Sequence, residues 1–190
     1  VGAVVITNTN DLANGTTTSI GALVANDGGD GISLREAILA ANNTGGADYI
    51  FFNIAGAGVQ TINVLTALPT ITGAVVIDGW SSPNYAGSPV IELNGGNLGS
   101  LVKGIALGAG SSGSTIRGLI INRFTGTGIE INGGATSNNH TIQGNWIGLD
   151  ATGTAASANG VKGIYGLNST GNLIGGTTAA QRNVISGNTQ

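Results

Sequence analysis

Cysteine and methionine are missing from this chain, and charge nearly so: Asp, Glu, Lys and Arg make up 8% of its 190 residues, against roughly a quarter in an ordinary soluble domain. Without cysteine there can be no disulfide framework and no thiolate metal site. The net charge is only −3, and the six basic residues (Arg35, Lys103, Arg117, Arg123, Lys162 and Arg182) are scattered along the chain. The electrostatic footprint of a nucleic-acid binder is therefore lacking, as is the polybasic cluster of a membrane-surface site. No apolar run approaches the 18 or so residues that span a bilayer, so no membrane insertion is expected. Aromatics are 4% of the chain, and proline occurs only at Pro69, Pro83 and Pro89.

What the chain does have is glycine and short β-branched runs. Its 35 glycines are far above the usual share of about 7%. The hydrophobic fraction of 41% suffices for a core and argues against disorder. One phrase recurs: Ser114-Thr115-Ile116-Arg117-Gly118, His140-Thr141-Ile142-Gln143-Gly144-Asn145, Asn172-Leu173-Ile174-Gly175-Gly176 and Asn183-Val184-Ile185-Ser186-Gly187-Asn188. Ile116 and Ile142 lie 26 residues apart, Ile142 and Ile174 a further 32. Repetition at this period marks a supersecondary unit that stacks on its neighbours to bury its apolar face.

Strands are expected at 3–7, 49–52, 61–64, 75–78, 90–93, 101–107, 115–122, 128–131, 141–147, 161–165, 172–174 and 183–185. Turn dipeptides such as Asn94-Gly95, Asn132-Gly133 and Asn159-Gly160 separate them. Short strands at this spacing also suit an antiparallel sandwich, but sandwich strands have no reason to repeat one another. The fold class expected is all-β: a right-handed parallel β-helix, or solenoid. Ile116, Ile142 and Ile174 should then lie over one another, as should Ile129 and Ile164. One helix is expected near 33–41. Ser33 at its N-cap and Glu36 three residues on form a capping box, and Leu34, Ala37, Ile38 and Ala41 form one apolar stripe. This amphipathic segment, with Ser33, Leu34, Glu36 and Ile38 as its key residues, is expected to cap the first coil. Residues 1–190 read as a single domain: strand, loop and capping helix over 1–48, then coils over 49–190.

The words Gly29-Asp30-Gly31-Ile32-Ser33-Leu34-Arg35-Glu36-Ala37-Ile38, Ile77-Asp78-Gly79-Trp80 and Gly144-Asn145-Trp146-Ile147-Gly148 resemble secreted bacterial right-handed β-helix proteins with an N-terminal SLREA-type segment. Many such proteins carry cysteine before the Ser-Leu-Arg-Glu-Ala word. Here Ile32 stands there, so the loop 8–31 must be held without a bridge. The resemblance implies a fold and a secreted, extracellular or cell-surface setting, in large surface or adhesin-like proteins. It implies no activity, because one fold hosts many functions. Val1 opens directly on a strand-like stretch, as expected of a processed secreted chain.

Three uses of such a surface can be weighed. The first is structural. The last repeat runs almost to Gln190 with no amphipathic segment after it, and unpaired edges invite pairing. Copies of the chain are then the expected partners, in a head-to-tail filament or surface layer without catalysis, or the chain is part of an adhesin-like stalk. The second is carbohydrate binding or polysaccharide cleavage, with Trp80, Trp146 and Tyr165 stacking on the sugar rings of a surface polysaccharide near Glu92 or Glu130. The third is an adhesin whose loop 151–159 contacts another cell. No cofactor is expected, apart from the alternative that Asp27 and Asp30, in the glycine-rich run Asn26-Asp27-Gly28-Gly29-Asp30-Gly31, wrap Ca²⁺. His140 is the sole histidine and is expected at a coil corner. Sequons at Asn14, Asn42, Asn139 and Asn168 would carry glycans only in a host with that machinery.

Overall fold

A computed structural model describes all residues, 1–190. Strands β1 (Ala3–Ile6), β2 (Asp48–Phe52), β3 (Gln60–Asn63), β4 (Val75–Asp78), β5 (Ile91–Asn94), β6 (Ile105–Leu107) and β7 (Thr115–Arg117) lead into β8 (Leu119–Asn122), β9 (Ile129–Ile131), β10 (Thr141–Gln143), β11 (Trp146–Ile147), β12 (Ile164–Gly166), β13 (Leu173–Ile174) and β14 (Val184–Ile185). Helices α1 (Ile20–Ala25) and α2 (Leu34–Asn42) lie between β1 and β2.

The strands form three sheets, in the orders β1-β2-β4-β7-β10-β13, β3-β5-β8-β11-β14 and β6-β9-β12. Every pair of named strands is parallel, which excludes the antiparallel sandwich. Alternate side chains of a strand point to opposite faces, and the register turns this alternation into rows. Val4, Ile50, Ile77, Ile116, Ile142 and Ile174 succeed one another across the first sheet. Ile62, Leu93, Ile121, Ile147 and Ile185 do so across the second, and Ile105, Ile129 and Ile164 across the third. The two expected superpositions, of Ile116 with Ile142 and Ile174 and of Ile129 with Ile164, are both present. These rows supply much of one continuous core cluster, and each fully buried isoleucine contributes roughly 1.5–3 kcal/mol relative to exposure.

Two of the expected strands prove to be two strands each. The run 115–122 breaks at Gly118 (φ 70°) and the run 141–147 at Gly144 (φ 63°), so β7 and β10 lie in the first sheet and β8 and β11 in the second. A left-handed residue turns the chain from one sheet to the next, and glycine adopts it without a Cβ penalty. The expected strand 101–107 is shortened to β6, and Leu101, at the start of the expected span, takes a left-handed φ of 56°.

Helix α1 falls inside the segment read as loop 8–31. Ser19 caps it by accepting from the Ala22 N–H at 3.1 Å, and Ile20 and Leu23 are buried. Helix α2 begins as read: Ser33 and Glu36 make the capping box, and Leu34 and Ile38 are buried. It packs against β1 and β2.

Candidate functional site

The residues of the Ser-Leu-Arg-Glu-Ala word work on their own loop. Glu36 is 1% exposed. Its Oε1 accepts from the Asn14 N–H at 2.9 Å and the Gly15 N–H at 2.7 Å, and its Oε2 from the Ser33 N–H at 2.9 Å. The Ser33 hydroxyl donates to the Leu12 carbonyl at 2.6 Å. Arg35 pairs with Asp11 at 2.7 Å and also donates to the carbonyls of Ala67 and Thr66. Asp11 in turn accepts from the Leu65 N–H. The loop that lacks a disulfide is thus tied to two charged side chains in the first turn of α2, whose hydrogen bonds are among the stronger ones in proteins.

The glycine-rich run before α2 is a folded turn. Asp27 accepts from the Gly29 N–H at 2.9 Å. The two carboxylate oxygens of Asp30 accept from the amides of Asn14 and Asn10; the Asn14 bond chiefly holds its pKa below the ordinary carboxylate value. No group of three or more His, Asp or Glu side chains comes together anywhere in the chain.

Of the three aromatic residues read as sugar contacts, Trp80 and Trp146 gather about Tyr85 and Gly144, and Tyr165 lies apart on the third sheet. Trp80 lies under the Arg117 guanidinium, 4.6 Å from the ring centroid, while Arg117 also grips Asp78 through two nitrogens at 2.9 and 2.6 Å. Gly118 and Gly144 sit so close against the Trp80 ring that a Cβ at either would collide with it. Trp146 packs on Gly153, in the loop that Asp150 closes through the N–H groups of Thr154 and Ala155. Tyr165 differs. In the third sheet Ala106, Glu130 and Tyr165 form the outward row between the buried isoleucines. Glu130 pairs with Lys103 at 2.5 Å, and Lys162 Nζ stands 4.3 Å from the Tyr165 ring centroid. These four side chains line a cleft of about 330 Å³. Glu92, the other acid considered, is engaged in the second sheet by Thr61 and Asn122. Sequence reading placed Tyr165 near Glu130 but missed both lysines, since Lys103 and Lys162 lie 59 residues apart and only the stacking of β6, β9 and β12 brings them to one surface.

His140 is fully buried, its Nε2 3.0 Å from the Ser137 hydroxyl. Burial depresses its pKa, outweighing the backbone of Ser137 and Ser114, which acts the other way. A depressed histidine pKa means that the unfolded chain binds the proton more readily. The stabilisation is therefore complete above about pH 6.5, the ordinary imidazole value, and is lost as pH falls from there through the folded-state pKa. We expect the melting temperature to drop between pH 7.5 and 5 in calorimetric scans, and His140→Gln to flatten that slope. An unchanged slope in the variant would assign the effect to other groups.

Set against protein-family models, curated proteins and solved structures, the chain has no match.

Proposed function

We propose that this chain is an extracellular structural β-solenoid, a right-handed parallel β-helix with α1 and α2 as the lid of its first coil, and that it works by stacking on a second copy of itself. One observation carries the reading. Across the first sheet the apolar row is at most 1% exposed from Val4 to Ile142, and then Ile174 is 51% exposed; across the second, Ile62 to Ile147 are fully buried and Ile185 is 46% exposed. Within residues 1–190 both rows thus pass from buried side chains to exposed ones in β13 and β14, an apolar face that a second copy can cover. The polar groups agree. The N–H groups of Asn145 and Asn159 donate to the side chains of Asn183 and Asn188 in the next rung, whereas the N–H groups of Asn183 and Asn188 find no acceptor in the chain. Unpaired edges with apolar neighbours are what native β proteins keep covered. The surface setting rests on the resemblance of the Ser-Leu-Arg-Glu-Ala segment and its surrounding words.

Helices α1 and α2 occupy the β1 side of the stack, so the two ends are unlike. Association through the β13 and β14 end then joins two like faces about a two-fold axis and closes as a dimer. A head-to-tail filament would instead require the helical lid to move aside. Sedimentation across a wide concentration range should show a monomer–dimer equilibrium. Ile174→Lys combined with Ile185→Lys should raise the dissociation constant by at least about tenfold, a 1.4 kcal/mol effect. Long polymers would favour the filament. A monomer at every concentration, for parent and variant alike, would end the self-association reading.

A further inference from the structure

The groove on the third sheet has a chemistry that stacking does not use. Of its charged groups, Lys103 and Glu130 satisfy each other. Lys162 takes part in no ion pair and rests on the Tyr165 ring. An aromatic ring beside an ammonium without a carboxylate partner offers two things at once: an apolar plate and an unneutralised positive charge. The Glu130–Lys103 pair next to them adds a fixed acceptor and a fixed donor. A second cleft of about 260 Å³ adjoins the first and shares Leu101 and Lys103 with it, so the groove runs across successive rungs.

At the junction of the two clefts stands Leu101, 71% exposed and held at a φ of 56°. A left-handed leucine costs roughly 1–2 kcal/mol, and such strain collects at ligand-binding positions. Here it holds a large apolar side chain out into solvent, between two hollows.

We propose that this groove binds an acidic glycan, a chain of uronic-acid units. The carboxylate of one sugar meets Lys162, the apolar face of a ring lies against Tyr165 or Leu101, and ring hydroxyls bond to Glu130 and Lys103. An extended oligosaccharide fits a groove that crosses rungs, and the carboxylated sugar fits Lys162, the one cation lining the groove that is outside an ion pair. The groove and the association face use different side chains, the outward row of β6, β9 and β12 and the inward Ile174 and Ile185, so the probe titration and the sedimentation experiment fail separately.

The test uses the full chain and two probes, a galacturonate tetramer and its methyl-esterified, uncharged counterpart, titrated by calorimetry or by NMR chemical shift. The acid should bind in the millimolar range or tighter, and the ester at least about fivefold more weakly, as for one charge-assisted contact. Lys162→Gln should erase the difference between the two probes, and Tyr165→Ala should weaken both. Glu130→Gln frees Lys103 from its ion pair and should widen the preference for the acid over the ester. Equal binding of acid and ester, or no binding of either at 10 mM (roughly −2.7 kcal/mol on the standard scale), overturns the proposal. So does an unchanged preference in Lys162→Gln. The comparison of acid with ester needs no variant, so a variant that folds poorly leaves the proposal open to refutation.

Discussion

Replacing Glu36 by alanine is expected to unfold the loop before α2 and to cost about 3–5 kcal/mol, the range for removing one partner of a buried charged network. The change leaves the N–H groups of Asn14, Gly15 and Ser33 without their acceptor and removes half of a capping box. For a chain of this size that corresponds to a fall in melting temperature of about 10 °C or more. Glu36→Gln is nearly as damaging. It keeps the side chain's length but turns an NH₂ group toward partners that are themselves donors. Hydrogen exchange should show the loss first in residues 8–31, with the amides of β4, β7 and β10 still protected. Uniform loss of protection would mean that the loop and the sheets unfold as one unit. A melting temperature within 2 °C of the parent's would contradict the role assigned to this carboxylate.

The second large effect lies in the asparagine ladder, and it depends on position. Asn159 is fully buried. Its amide donates to the Ile121 carbonyl at 3.0 Å, and its side-chain oxygen accepts from the Phe124 N–H at 3.1 Å. Asn159→Ala orphans the Phe124 N–H, at about 1–3 kcal/mol, and leaves the Ile121 carbonyl with the Gly148 N–H alone. Asn188 makes the same kind of bond one rung further on, from its amide to the Ile147 carbonyl at 2.9 Å, but is only half-buried. Water can replace it there, so Asn188→Ala should cost less than about 1 kcal/mol. Chemical denaturation of the two variants measures the difference. Equal losses would show that the last rung is as well covered as the inner ones.

Much of this architecture was legible because it rests on local, repeated physics. The Ser33–Glu36 pair announced the start of α2, the Ile-rich words announced the rows, and the spacing of those words predicted which isoleucines would lie together. Helix α1 escaped because its six residues carry only two apolar contacts, Ile20 and Leu23, too few for a periodic signal in a segment rich in Thr, Asn and Gly. The breaks at Gly118 and Gly144 escaped because a β-branched run through a glycine reads as continuous. Only the backbone turn there shows that its two halves serve different sheets.

The aromatic residues teach the opposite lesson. Trp80 and Trp146 stood out because the chain has so few aromatics; both are partly exposed, Trp80 beside Arg117 and Trp146 on a small cleft with Tyr85 and Arg182. Tyr165 shares a cleft with Lys162, three residues away, and with Lys103 and Glu130, which the parallel pairing of β6, β9 and β12 brings beside it.

By itself the sequence determined the kind of strand, the core side of each repeat and the capped helix, since these follow from side-chain alternation, branching at Cβ and hydrogen bonds spanning three residues. Only the tertiary structure decided which charges pair, which rows end exposed and which side chains share the groove. Those are contacts between residues tens of positions apart, and their distances depend on how many residues each turn inserts between one rung and the next.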